Sequence, residues 1–114
     1  MRYQNRSGMM DAMAVRGSRT GRAVMTVLDV LGRRWSLRIL WELRDGPLNF
    51  RALRAACDQV SPSSLNRRLA ELRDLHIVEA RADAGYALTG PGEELTGIML
   101  KLHRWAERHA PRRS

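Results

Sequence analysis

Asn49-Phe50-Arg51-Ala52-Leu53-Arg54-Ala55-Ala56-Cys57-Asp58-Gln59-Val60-Ser61-Pro62-Ser63-Ser64-Leu65-Asn66-Arg67-Arg68-Leu69-Ala70-Glu71-Leu72 is the stretch whose reading decides the fold. Ser61-Pro62 is its clearest punctuation, an N-cap hydroxyl followed by proline at the first helical position. Leu65, Leu69 and Leu72 then recur at helical spacing, which predicts a helix from about Pro62 to Asp74. Upstream, Asn49 is another N-cap residue, and Phe50, Leu53 and Ala56 share one face of a helix expected over Phe50–Ala56. Only Cys57 to Val60 separate the two, so the pair reads as a helix-turn-helix. Downstream, His76–Arg81 reads as a strand and Tyr86–Leu88 as its partner. Asp83-Ala84-Gly85 suits a short hairpin, with Gly85 free to take positive φ.

The same reading extends outward. Val24, Val27, Leu28 and Leu31 predict a first helix over Arg22–Leu31, ended by Gly32. Trp35, Ile39, Leu40 and Leu43 predict a second over Trp35–Leu43. Asp45-Gly46-Pro47 stops it, and Leu48 can pair briefly as a strand. Thr89 caps the last helix, with Pro91 in its first turn. Leu95, Ile98, Met99, Leu102, Trp105 and Ala106 give that helix one long apolar stripe, ending near Ala110-Pro111. The expected fold is mainly α (α+β): a winged helix-turn-helix of four helices, a short two-stranded wing and a C-terminal dimerisation helix. Residues 1–21 read as a basic N-terminal arm, 22–110 as the folded domain and 111–114 as a tail. The arm is either an unstructured tail or a segment that lies along a nucleic-acid backbone or minor groove.

At 114 residues the chain is one domain's worth. Its formal charge is +8, and 19 of its 20 basic residues are Arg, whose rigid fork suits phosphate and guanine edges. The single cysteine, Cys57, excludes an internal disulfide and a Cys-rich metal site. His76, His103 and His109 do not fall at metal-ligand or catalytic spacing with Asp, Glu or Cys, and no glycine-rich phosphate loop is present. No enzyme, cofactor or metal is expected. No apolar run is long enough to span a membrane, the basic N-terminal stretch lacks the apolar core of a secretion signal, and a cytoplasmic setting is the expectation.

Function concentrates on the Ser61–Arg68 segment. If the leucines face inward, Ser63, Ser64, Asn66 and Arg67 face outward near a helix N-terminus that attracts phosphate. Ser61 adds a hydroxyl, and Asn and Arg suit adenine and guanine edges in a major groove. Arg68 lies on the flank within reach of a phosphate. Arg81 on the wing and Arg34 ahead of the second helix are further candidate DNA contacts, with Arg33, Arg38, Arg51 and Arg54 as possible backbone supports. For each, a solvated surface is the alternative. Val24, Val27, Leu95, Ile98, Met99, Leu102 and Trp105 are the candidate dimer interface, because so small a domain has little core for such a stripe to cover. The alternative is a last helix folded back on its own domain. Trp35 suits the core better than an interface, and Trp41 fits either. Cys57 reads as a packed thiol, with a redox role as the alternative.

Leu28-Asp29-Val30-Leu31-Gly32-Arg33-Arg34-Trp35-Ser36-Leu37-Arg38-Ile39-Leu40 resembles the opening of HxlR-type winged-helix regulators, which are similar to MarR proteins. The resemblance continues through Gly46–Leu53, Val60-Ser61-Pro62, Leu65–Leu72, Leu88-Thr89, Gly92 and Leu95, covering about residues 22–109. It implies a bacterial dimeric transcription regulator, with DNA contact on Ser61, Ser63, Ser64, Asn66, Arg67 and the wing near Arg81, and a dimer built by the first and last helices. Three departures stand out. The cysteine that the family often carries ahead of its first helix would fall near Arg22. The second glycine of its usual pair is Arg33. The wing lacks the usual proline-rich basic middle.

The leading expectation is a dimeric repressor whose two reading helices, about 34 Å apart, bind an inverted repeat on double-stranded DNA. Two others compete with it. One is a winged helix used for protein contact. The other is a regulator answering a small-molecule effector, in a pocket lined by Trp41, Trp105 and Tyr86.

Overall fold

The computed structural model describes residues 19–111. The chain divides after Arg34 into two compact units. In the first, helix α1 runs Arg19–Leu31, starting ahead of the expected Arg22. The Gly32 amide donates to the Leu28 carbonyl at 2.8 Å as the helix ends. The proposed arm falls almost wholly on residues 1–18, and most of the tail on 112–114, outside the described residues.

The second unit contains α2 (Ser36–Leu43), α3 (Phe50–Ala56), α4 (Pro62–Asp74), β1 (Val78–Arg81), β2 (Gly85–Leu88) and α5 (Gly90–His109). This is the winged helix-turn-helix order, and the local signals explain its boundaries. The Asn49 side chain accepts from the Ala52 amide at 2.7 Å, and Ser61 Oγ from the Ser64 amide at 3.2 Å. Each satisfies an amide that a helix start leaves without a partner. Thr89 does more. Its hydroxyl accepts from the Gly92 amide at 3.0 Å and donates to the His76 carbonyl at 2.6 Å, tying the start of α5 to the entry of the wing.

Trp35 and His76 fall outside the elements expected to hold them. Trp35 does not begin α2. It precedes the helix in the left-handed region, φ 79°, and caps it with no side-chain bond. Likewise the first strand begins at Val78, because His76 takes φ 59° and terminates α4. The His76 and Ile77 amides donate back to Arg73 and Leu72, closing that helix rather than opening a ladder.

β1 and β2 pair antiparallel, with Val78 opposite Leu88 and Arg81 opposite Gly85. Leu48 adds a bridge to Tyr86, with hydrogen bonds of 3.0 and 2.8 Å in the two directions. Gly85 sits at φ 93°, and a Cβ there would run into the Leu48 carbonyl and the Asn49 backbone. Glycine is therefore required twice over, for its dihedral and for the close approach of the chain leading into α3.

The core is formed by Ile39, Leu40 and Leu43 of α2, Leu53 of α3, Leu65, Leu69 and Leu72 of α4, and Ile77, Val78, Ala87 and Leu88 of the wing base. Burying each leucine contributes roughly 1.5–3 kcal/mol. All three leucines of α4 point inward, so its opposite face is fixed outward.

Candidate nucleic-acid interface

With Leu65, Leu69 and Leu72 buried, α4 exposes Ser63, Asn66, Arg67, Ala70 and Arg73. These positions recur three or four residues apart and form one stripe along the helix. The stripe begins at a helix N-terminus, where backbone amides favour an anion. Ser61 is exposed beside it with its Oγ engaged as the cap, and Ser64 is half-buried. The structure therefore brings Ser61, Ser63, Ser64, Asn66 and Arg67 together on the first two turns.

The arginines separate into two groups. Arg68 turns aside from the stripe and donates to Glu71 at 2.6 Å, in a pair largely shielded from solvent. Arg54 donates from Nε to the Val60 carbonyl at 2.6 Å. Arg38 is bound to Glu42, Asp58 and the Ala56 carbonyl. These three are occupied inside the fold. Arg51, Arg67 and Arg73 are exposed. Arg73 was missed in the sequence, although it lies two helical turns beyond Asn66 and the same periodicity carried further would have found it.

On the wing, Arg81 donates from Nε to Glu79 at 2.8 Å, and Ala82, Asp83 and Ala84 form an exposed tip. Arg81 is thus offset by Glu79, and Asp83 leaves the wing net negative. Arg33 and Arg34 are exposed at the end of the first unit.

This geometry has known counterparts. Residues 30–114 match the family described as HxlR-like helix-turn-helix. The chain belongs to the HxlR-like family. Among its relatives is the HTH-type transcriptional regulator YodB of Bacillus subtilis, 30% identical over 88 residues that span 72% of this chain and 79% of YodB. YvaP of the same organism, an HTH-type transcriptional regulator, is 33% identical over 86 residues, 69% of this chain and 79% of its own. The crystal structure of quinone-bound YodB superposes with a TM-score of 0.72 at 30% identity, covering 77% of this chain and 99% of that one. This HxlR-like protein is a winged helix-turn-helix transcriptional regulator and not an enzyme.

Two other features of this HxlR-like chain bear on its function. Helix α5 carries exposed Ile98, Leu102 and Trp105 (62%, 63% and 52% exposed), with Leu95 and Met99 half-buried alongside. In the first unit, Val24 and Leu28 of α1 are each 52% exposed and Val27 is half-buried. Leu28 was not among the residues expected to face a partner.

Cys57 is fully buried at the end of α3. Burial pushes its thiol pKa up, against a smaller opposing pull from Arg38. The group is thus held as a weakly nucleophilic thiol at neutral pH. Trp41 is half-buried, with the Arg44 guanidinium 3.9 Å above its ring and the His103 ring 5.7 Å away. Trp35 is half-buried rather than in the core. An open cavity of about 410 Å³ is lined by Arg44, Asp45, Leu88, Glu93, Thr96, Gly97 and Leu100, and by none of Trp41, Trp105 or Tyr86. Among the described residues no helix is long and apolar enough to cross a membrane, and no cluster of His, Cys, Asp and Glu could hold a metal.

Proposed function

We propose that the protein is a homodimeric, cytoplasmic repressor that inserts α4 of each copy into the major groove of an inverted repeat and occludes a promoter. The observation that carries this reading is the α4 stripe. Ser63, Asn66, Arg67 and Arg73 stand exposed on a helix whose opposite face is fixed by three buried leucines. Asn66 is suited to an adenine edge and Arg67 to a guanine edge. Arg73 and the α4 N-terminus serve phosphates. Arg34 and Arg81 are secondary contacts, and Arg81 must first leave Glu79. Arg68 reaches a phosphate only by giving up Glu71, so it contributes least. The exposed stripe of α5 and, separately, that of α1 serve the dimer as surfaces for a second copy.

The test is a salt-dependent titration of duplex fragments from the gene's own upstream region, with Arg67→Ala alongside. Wild-type affinity should fall linearly on a log–log plot against salt. Arg67→Ala should lower affinity for the preferred fragment by about 5- to 100-fold, the worth of one good base contact. Equal, weak binding to every fragment, unmoved by the substitution, would overturn the reading in favour of a protein-contact module. The net negative wing, with Arg81 against Glu79 and Asp83, is the feature that favours that second reading.

A small-molecule effector completes the proposal, on the strength of the quinone-bound YodB relative. The cavity between the end of α2 and α5 is the candidate place for it in this chain. Buried Cys57 offers no accessible thiol for a covalent response.

A further inference from the structure

The turn between α3 and α4 is unusual in its backbone and in what holds it. Asp58 and Gln59 are both left-handed, at φ 57° and 58°, with no glycine to ease either. Both are exposed. The turn is fastened from outside itself. Arg38, on α2, donates from Nε to Glu42 at 2.8 Å, from Nη1 to Asp58 at 3.2 Å and from Nη2 to the Ala56 carbonyl at 2.6 Å. Arg54 holds the other side through the Val60 carbonyl.

We propose that Arg38 is a positioning residue for DNA recognition, fixing the angle between α3 and α4 by clamping their turn to α2 without itself touching DNA. This rests on α4 being the reading helix. All three guanidinium nitrogens of Arg38 are engaged by the protein. Asp58 belongs to the turn, the Ala56 carbonyl to the last residue of α3 that leads into it, and Glu42 anchors the fork to α2. The Ala56 carbonyl is among those that a helix C-terminus leaves without an intrahelical donor. A planar fork can satisfy a carbonyl and two carboxylates at once, which a lysine ammonium on a flexible stem does not reproduce.

The turn acts as the hinge of the reading helix. Arg67 stands about 8 Å along the α4 axis from Pro62. A tilt of about 5° at the turn would move it by about 0.7 Å, beyond the roughly 0.5 Å tolerance of a preorganised contact. Base contacts are short and directional, whereas phosphate attraction is long-ranged and forgiving. Loosening the turn should therefore cost sequence selectivity and leave non-specific affinity almost intact.

The experiment uses the full chain, a duplex carrying the sequence enriched by in vitro selection on it, and an unrelated duplex of equal length. Arg38→Lys keeps the charge and removes the fork. Arg38→Met removes both. Asp58→Asn alters the turn side of the clamp with little change of shape, and serves if the Arg38 variants melt below the assay temperature. Each should lose about tenfold in affinity for the selected duplex while binding the unrelated one as wild type does, with the salt slope unchanged.

Arg67→Ala, run in parallel, should lower affinity for the selected duplex by about 5- to 100-fold, as the loss of a base contact does. If Arg67→Ala has no effect, the reading-helix assignment itself fails. If Arg67→Ala behaves as expected but Arg38→Lys and Asp58→Asn keep wild-type selectivity, the positioning role alone is overturned. That role also fails if Arg38→Met lowers the salt slope by about one phosphate and Arg38→Lys restores it, since Arg38 would then be a phosphate contact.

Discussion

Leu102→Glu is expected to convert the protein to a monomer and to abolish high-affinity operator binding. Leu102 lies at the centre of the α5 stripe, one helical turn from both Ile98 and Trp105, and is 63% exposed in the single chain. Its removal therefore takes little from the fold of one copy. In a two-fold dimer the substitution enters the interface twice. Each leucine lost forfeits roughly 1.5–3 kcal/mol of burial, and each carboxylate resists desolvation further. A weakening of about 3–6 kcal/mol multiplies the dissociation constant by roughly 10²–10⁴. Sedimentation velocity across a concentration series reads this directly, with thermal melting to show that the monomer is folded. A monomer holds only one half-site, so footprint length should halve as affinity falls. If Leu102→Glu sediments as wild type does, α5 is not the dimer contact, and α1, with Val24 and Leu28, becomes the surface to test.

Gly85→Ala should be the most damaging single-methyl change in the wing. Two costs coincide. At φ 93° an L side chain is strained by roughly 1–3 kcal/mol. The added carbon also meets the backbone of Leu48 and Asn49, and backbone yields less readily than a side-chain tip. Relief requires parting Leu48 from Tyr86, with loss of the 3.0 and 2.8 Å hydrogen bonds between them. Each is worth about 1 kcal/mol. The total of about 3–5 kcal/mol should appear as a clear drop in the denaturant midpoint. Gly46→Ala is the control. It also has positive φ, 141°, but an added carbon there meets nothing, so strain acts without collision. Equal losses in the two variants would mean that the dihedral alone matters and that the Leu48 approach is unimportant.

The structure's most instructive departure from the sequence lies among the arginines. Arg67 and Arg68 are adjacent and look alike in the sequence, yet one stands on the exposed stripe and the other is tied to Glu71. A rotation of about 100° per residue separates them on the helix, and only the position of the buried leucines says which faces out. Arg38 and Arg54 read as possible DNA supports, but their acceptors include main-chain carbonyls at Ala56 and Val60, which no residue identity announces.

The sequence by itself determined the local architecture. Asn49, Ser61 and Thr89 start helices because their side chains satisfy the first free amides. The leucine spacing turns α4 inward, and glycine and proline place the breaks. Those interactions span three or four residues, so they are written in short words of sequence. Only the tertiary structure decided which cations are available to a partner and which bind the fold together. The partners of Arg38 beyond its own helix lie 18 and 20 residues away and meet it only once α2 and the α3–α4 turn have packed. The fate of a long charged side chain depends on acceptors brought close by the whole fold, and periodicity carries no record of them.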